Sequence, residues 1–126
     1  MKKGAYVDGF VLCVPKKNTA KYKKMAHDAM VVWKKFGALD YKECIGDDMK
    51  PSMQGMQTSS FPKMARPKQG EAVWFSFITY KSRKHRDTVN KKVMAYFEKK
   101  YGKVEMNMPF NMKRFAYAGF KVEVGM

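Results

Sequence analysis

Two segments of this chain are apolar on both faces, and this limits the folds that can bury them. In an extended strand, successive side chains point to opposite faces. The faces of residues 6–14 (YVDGFVLCV) carry Phe10, Leu12 and Val14 on one side and Val7, Val11 and Cys13 on the other. In residues 72–80 (AVWFSFITY), one face carries Val73, Phe75 and Phe77, and the opposite face carries Trp74, Ile78 and Tyr80. Both segments therefore belong in the centre of a sheet that is covered on each side.

The first half of the chain predicts a strand, a helix and a second strand. Apolar residues recur at spacings of three and four from Tyr22 to Phe36, which is typical of one helical face. Asn18 is placed to cap this helix, and Gly37 to end it. Residues 39–46 alternate apolar and polar side chains, as a half-buried strand does.

The second half repeats this order after a long connection. Residues 48–70 contain three prolines and two glycines with no period, which predicts a loop. We interpret this loop either as a lid over a cavity or as a disordered segment. A third strand at 72–80 follows, and then a helix that begins at Ser82 and ends near Gly102. After a linker, residues 114–122 form the fourth strand. On the second helix, one face carries Arg86, Val89, Val93 and Phe97.

The order β-α-β, loop, β-α-β predicts an α+β fold of the ferredoxin-like kind, formed by residues 1–126 as one domain. Its four strands form one antiparallel sheet with both helices on the same face. The opposite face would then expose more apolar surface than a monomer usually tolerates. We expect a second copy of the chain to cover that face, giving a homodimer in which two sheets meet.

The charge and the distribution of apolar residues make a nucleic-acid-binding, membrane-spanning or exported protein less favoured. The net charge of +15 comes mostly from lysine, with arginine only at four positions. Arginine is the residue that best recognises phosphate and guanine, so a nucleic-acid partner is not favoured. No stretch approaches the ~20 apolar residues that a membrane span needs. Asp8 interrupts any signal peptide after Met1, so we expect a cytoplasmic protein.

Few residues of this sequence could form a disulfide or bind a metal or haem. Cys13 and Cys44 lie on strands expected to flank a third, too far apart for a disulfide, so we predict two free, buried thiols. His27 and His85 are expected at the surface, which argues against a haem ligand. Adjacent acids such as Asp47 and Asp48 are more typical of a turn than of a metal cage. The sequence therefore predicts no metal and no cofactor.

Two carboxylates on half-buried strand faces are the candidates for catalysis. Asp8 shares a face with Phe10, and Glu43 shares one with Tyr41. A half-buried carboxylate needs a cation, hydrogen-bond donors or a proton. Arg86 and Arg114 are the expected cations. One interpretation makes Asp8 or Glu43 a general base; the other, which is favoured, makes them members of structural ion pairs.

The same reasoning predicts the ligand-binding residues. An arginine would anchor an anionic ligand, and Trp74 and Tyr117 would form an apolar wall. Asn90 lies one helical turn after Arg86 and is expected either to anchor the helix or to line the cavity mouth. The expected binding residues are Trp74, Arg86, Asn90, Arg114 and Tyr117.

Four collinear blocks resemble the DUF1428 family of YbaA-like proteins. These blocks are YVDGFV (6–11), FGALDYKECIGDD (36–48), VWFSFITYKSRKHRDTVNKKVM (73–94) and MPFNMKRFAYAGF (108–120). The resemblance implies a dimeric α/β barrel, in which two ferredoxin-like sheets close together. It implies no catalytic residues, because the family is one of unknown function.

The functional hypothesis is that a homodimer binds a small organic molecule, anionic or neutral, in its barrel cavity. The alternative is a cofactor-independent oxygenase or isomerase that acts on such a molecule through Asp8 or Glu43. The sequence does not decide between binding and catalysis, so enzymatic activity stays an open question.

Overall fold

Four strands form one antiparallel sheet in the computed structural model, which describes residues 1–102 and 107–126. The strands are β1 (Tyr6–Pro15), β2 (Asp40–Ile45), β3 (Glu71–Tyr80) and β4 (Ala116–Lys121). They lie in the order β2-β3-β1-β4, and each neighbouring pair is antiparallel. The two segments that are apolar on both faces are the central strands, as predicted. Among the described residues the sheet stays open, with β2 and β4 as its edges.

Three α-helices within the described residues complete the α+β architecture. They are α1 (Thr19–Lys35), α2 (Phe61–Ala65) and α3 (Arg83–Tyr101). Both predicted helices are present, and Ser82 caps α3 by accepting a hydrogen bond from the backbone N–H of His85 at 3.1 Å. The predicted cap of α1 differs, because the side chain of Asn18 donates instead to the carbonyl of Pro109 at 2.9 Å.

Helices α1 and α3 cover one face of the sheet. Between them and the strands lies a cluster that includes Tyr80, Val89 and Val93, each at most 1% exposed. A second cluster, at the start of α1, packs Tyr22 and Ala26 against strand residues. Because both clusters use the same face of β1 and β3, the helices leave the other face of the sheet uncovered.

The opposite face keeps exposed aromatic side chains. Phe75 is 43% exposed and Phe120 is 58% exposed. Helix α2 covers only one end, where the rings of Phe61 and Phe75 lie 6.2 Å apart and Cys13 is buried. We call this surface the open face; it consists of Val7, Val11, Phe75, Phe77 and Phe120.

Some local predictions were wrong or incomplete. Helix α2 interrupts the predicted 48–70 loop. Cys13 and Cys44 are free, but Cys44 is exposed because it lies on the edge strand β2. Arg114 belongs to a 3-10 turn at 112–114 that precedes β4. Residues 103–106 of the predicted linker lie outside the described residues. No helix in the described part of the chain is long and apolar enough to cross a membrane.

Candidate functional site

A cavity of about 150 Å³ lies between α1 and the helix-covered face of the sheet. Its wall is mostly aromatic and aliphatic because the inward stripe of α1 faces the apolar side of β1, β2 and β3. Its lining also includes two residues with polar side chains that are not aromatic, Glu43 and Ser76. Its apolar lining includes Phe10, Met25, Trp33, Ile78, Phe110 and Phe115. An apolar, concave space with a single polar corner is typical of a small-molecule site.

Glu43 is the acid of this cavity, and it reaches the site because it lies on the same face of β2 as Tyr41. The hydroxyl of Tyr22 donates to one of its carboxylate oxygens at 2.8 Å, and that of Tyr41 donates to the other at 3.3 Å. Burial raises the pKa of Glu43 above its usual value of 4.5, while hydroxyl donors, Ser76 included, act to lower it. Glu43 can therefore accept or donate a proton inside an apolar space.

The two tyrosines stay protonated and act as donors. Burial, followed by the nearby charge of Glu43, raises the pKa of both Tyr22 and Tyr41 well above the usual value of 10.0. Sequence reasoning missed Tyr22 because its partner lies 21 residues away on another element. Among the residues that the structure describes, Glu43 is the one charged residue in the cavity lining, and none of them contributes a cation to it.

Asp8 is placed differently from Glu43, in a polar network beneath α3. It is 1% exposed, and Arg86 donates to it from Nη1 at 2.8 Å. The same nitrogen lies 2.8 Å from the hydroxyl of Tyr117, and the guanidinium carbon lies 4.9 Å from the ring centre of Tyr6. Burial alone would lower the pKa of Arg86, but the neighbouring Asp8 carboxylate raises it, so the guanidinium group stays protonated.

Asn90 connects this network to the cavity wall. Its amide nitrogen lies 3.4 Å from Asp8, and its amide oxygen accepts hydrogen bonds of 3.1 Å from Trp33 and from Tyr80. Trp33 in turn presents its ring to the cavity. Asn90 is therefore an anchor between α3, α1 and β3, which was one of the two roles predicted for it.

The structure separates the other predicted site residues from the cavity. Arg114 does not pair with Asp8 or Glu43; its guanidinium lies 2.9 Å from Glu71, at the start of β3. Burial acts to raise the pKa of Glu71, but the Lys68 backbone and Arg114 together lower it below its usual value. Arg114 was assigned the wrong partner because it belongs to the 3-10 turn that precedes β4, and not to the strand itself.

The two predicted wall residues lie one layer behind the cavity. The ring of Trp74 packs at 4.9 Å from that of Tyr22, and the ring of Tyr117 stacks at 4.8 Å on that of Phe10. Tyr22 and Phe10 line the cavity, whereas their partners support them. Tyr117 is also 48% exposed, so it faces solvent on the edge strand.

A larger hollow of about 1350 Å³ lies on the open face, under residues 44–63. Its lining includes Met49, Met53, Met56, Phe61 and Phe75. Neither Asp8 nor Glu43 lines it, so it is separate from the cavity beside α1. The long loop thus arches over the open face rather than over that cavity.

The remaining candidates lie at the surface or in local contacts. His27 is exposed. His85 accepts a hydrogen bond of 3.0 Å from the backbone N–H of Lys81. Within residues 1–102 and 107–126, no group of three histidine, cysteine, aspartate or glutamate side chains could hold a metal ion.

Comparison with known sequences decides the family. Residues 5–112 match the family described as a protein of unknown function (DUF1428). The chain belongs to the DUF1428 family. It is 37% identical over 117 residues to the uncharacterized protein YbaA of Escherichia coli strain K12, covering 92% of this chain and 94% of that protein. The uncharacterized protein YbaA of Shigella flexneri matches with the same identity and coverage. The predicted DUF1428 resemblance is confirmed.

Among solved structures, the de novo designed protein Foldit4 matches 94% of this DUF1428 chain at 8% identity, with a TM-score of 0.45. The alignment covers 98% of the designed chain. A score at this level is too low to indicate a shared fold.

Proposed function

We propose that this chain binds one small, mainly apolar organic molecule in the cavity between α1 and the sheet. The observation that carries the proposal is an aromatic-lined space of about 150 Å³ with one carboxyl group at its edge. An engineered apolar cavity of about this volume in another protein binds benzene. A single-ring molecule therefore matches the space available.

The charges around the cavity favour an uncharged or cationic ligand over an anion. The two arginines that suggested an anion are engaged elsewhere, Arg86 with Asp8 and Arg114 with Glu71. Glu43, the charged residue of the cavity lining, would repel an anionic group.

We also propose the ferredoxin-like arrangement and the dimeric α/β barrel. The strand order β2-β3-β1-β4, with α1 and α3 on one face, supports the first proposal. The open face supports the second, because a copy of the chain would bury Phe75 and Phe120 against the same residues of its partner. The free thiols of Cys13 and Cys44 support a cytoplasmic location, since reduced thiols are typical of that compartment.

Catalysis by proton transfer is the second candidate function. It is favoured by Glu43, a residue of the cavity lining whose pKa is raised by burial and whose carboxylate accepts hydrogen bonds from two phenols. Such a group can take a proton from one carbon of a bound molecule and return it to another, which is an isomerisation. Of the two chemistries that the sequence left open, the cavity supports this one.

Titration of the purified protein with toluene, followed by calorimetry, tests the binding proposal. Wild-type protein should bind toluene, and Ala29→Leu should abolish this binding, because Ala29 lines the cavity and a larger side chain fills it. Ala20→Leu is the matched control, since Ala20 is exposed on the same helix. Absence of binding to the wild type, or unchanged binding to A29L, would refute the proposal.

A further inference from the structure

We infer that the cavity selects a small organic ammonium ion, with Glu43 as its counter-ion and the surrounding rings as a cage for the cation. This inference rests on the proposed function, because it takes the cavity beside α1 as the binding site. It adds the chemical class of the ligand, which the size and the apolar lining do not specify.

The first support is that Glu43 has hydrogen-bond donors but no cationic partner among the described residues of the cavity lining. Both carboxylate oxygens of Glu43 are in contact with neutral hydroxyls, those of Tyr22 and Tyr41. The described residues that line the cavity contain no lysine, arginine or histidine. Taking a carboxylate out of water without an opposite charge is costly, and a positively charged ligand would offset that cost.

The second support is the composition of the wall around this acid. The aromatic side chains that line the cavity are Phe10, Tyr22, Trp33, Tyr41, Phe110 and Phe115. Aromatic faces attract cations, and organic ammonium groups are commonly recognised by cages of aromatic rings. A carboxylate beside several rings therefore combines two features that bind the same group.

The third support is that the two arginines which the sequence suggested as partners of the carboxylates, Arg86 and Arg114, pair with other acids. Arg86 is held by Asp8 and by the exposed Asp87, whose side chains lie 2.8 Å from its guanidinium nitrogens. Arg114 is held by Glu71 at 2.9 Å. These pairs fix both guanidinium groups outside the cavity lining and leave Glu43 available to a ligand.

Three compounds of similar shape test the inference by calorimetry at about pH 7: benzylamine, ethylbenzene and benzoate. Benzylamine is then a cation, ethylbenzene is its neutral analogue, and benzoate is an anion. We expect the wild type to bind benzylamine more tightly than ethylbenzene by on the order of tenfold or more, and benzoate most weakly. The net charge of +15 would favour the opposite order through long-range attraction, so a preference for the cation must arise locally.

The variant Glu43→Gln separates the carboxylate from the rest of the cavity. It should reduce benzylamine affinity by on the order of tenfold and so remove the preference for benzylamine over ethylbenzene, because the amide carries no charge. Both ligands are titrated into the variant, so that the preference is compared within the same cavity. Glu98→Gln is the control, because it removes one negative charge from an exposed position on α3.

The outcomes distinguish the two proposals. Equal binding of benzylamine and ethylbenzene to the wild type, or tightest binding of benzoate, overturns the ammonium preference but leaves the binding function in place. Failure of all three compounds and of toluene to bind overturns the proposed function itself. Because the wild-type ranking is decisive alone, the test does not depend on E43Q being stable.

Discussion

Arg86 of α3 donates a hydrogen bond of 2.8 Å to Asp8, near the start of β1, across 78 positions of sequence. The side chain of Asp8 is 1% exposed and that of Arg86 is 13% exposed, so the pair is largely removed from water. Removing one partner of such a pair leaves the other as a buried charge without a counter-ion. Asp8 does not line the cavity, so its position supports a structural role rather than that of a general base.

We expect Asp8→Asn to lower the free energy of unfolding by about 3 kcal/mol, because Arg86 keeps its charge but loses the carboxylate. Urea unfolding followed by the fluorescence of Trp33 and Trp74 measures this loss. Asp87→Asn is the matched control. Asp87 also contacts Arg86 at 2.8 Å, but its side chain is 60% exposed, so its removal should change stability by no more than about 0.5 kcal/mol. Equal stability of D8N and the wild type would contradict the role given to the pair.

The elements of the fold were predictable because each leaves a local period in the sequence. The double-faced apolar pattern of residues 6–14 and 72–80 identified the two central strands before their neighbours were known. Helix α2 was missed because its five residues are too short to show a helical period. Ser60 followed by Pro62 was the available signal, since Ser60 accepts a capping hydrogen bond from the backbone of Lys63 and proline suits a first helical turn.

The site was harder to predict than the fold because its partners come from different elements. Alternation along β2 correctly placed Glu43 beside Tyr41, but only the packing of α1 brings Tyr22 within 2.8 Å of the carboxylate. The same limitation explains Arg114, whose partner Glu71 lies 43 positions away at the end of another strand. Sequence spacing indicates which face a residue occupies, but not which residue of a neighbouring element it meets.

Gly119 is required by the ring of Tyr6, which packs directly over it. A Cβ at position 119 would lie 2.7 Å from Tyr6 Cε2, and Tyr6 in turn lies under the guanidinium of Arg86. We expect Gly119→Ala to destabilise the protein by about 1–3 kcal/mol, because the buried ring has to move. Thermal unfolding measures the loss.

Gly9→Ala is the control for this substitution. A Cβ at position 9 would lie 3.2 Å from the ring of Phe120, a longer contact than the 2.7 Å between a Cβ at position 119 and Tyr6 Cε2. The loss of stability should therefore be smaller for G9A than for G119A. The reverse order would show that the contact between Tyr6 and Gly119 does not determine the packing at this edge.

If the open face is the dimer interface, a charged side chain introduced on that face should dissociate the dimer. We expect the wild type to sediment at twice the mass of one chain. Phe75→Lys or Phe120→Lys should shift it to the mass of one chain, because a lysine buried between two sheets would lack a partner. Val31→Lys is the control, since Val31 is 53% exposed on α1, on the other side of the sheet. A wild type that sediments as a single chain at micromolar concentration would refute the dimer.

Glu43 predicts a specific dependence of stability on pH. Burial raises its pKa above 4.5, so the folded state holds the proton more tightly than the unfolded state does. The stabilisation from protonated Glu43 is therefore fully present below about pH 4.5 and is lost as the pH rises through the higher folded-state pKa. Unfolding free energies of the wild type and of Glu43→Gln, measured from acid to neutral pH, should show the wild type losing stability relative to the variant over this interval.

Comparing the wild type with E43Q separates the effect of Glu43 from the effects of carboxylates whose pKa is lowered in the folded protein. Hydrogen bonding to Lys42 lowers the pKa of Asp40, against a smaller opposing effect of burial, and donors around Glu71 lower its pKa despite burial. Both residues lose their stabilising contribution as the pH falls, but they are present in the wild type and in E43Q, so their effects cancel in the difference. A difference that is constant with pH, or that favours the wild type as pH rises, would mean that the folded protein stabilises the Glu43 carboxylate at least as well as water does in the unfolded chain. The acid would then have no need of the cationic ligand that we propose for it.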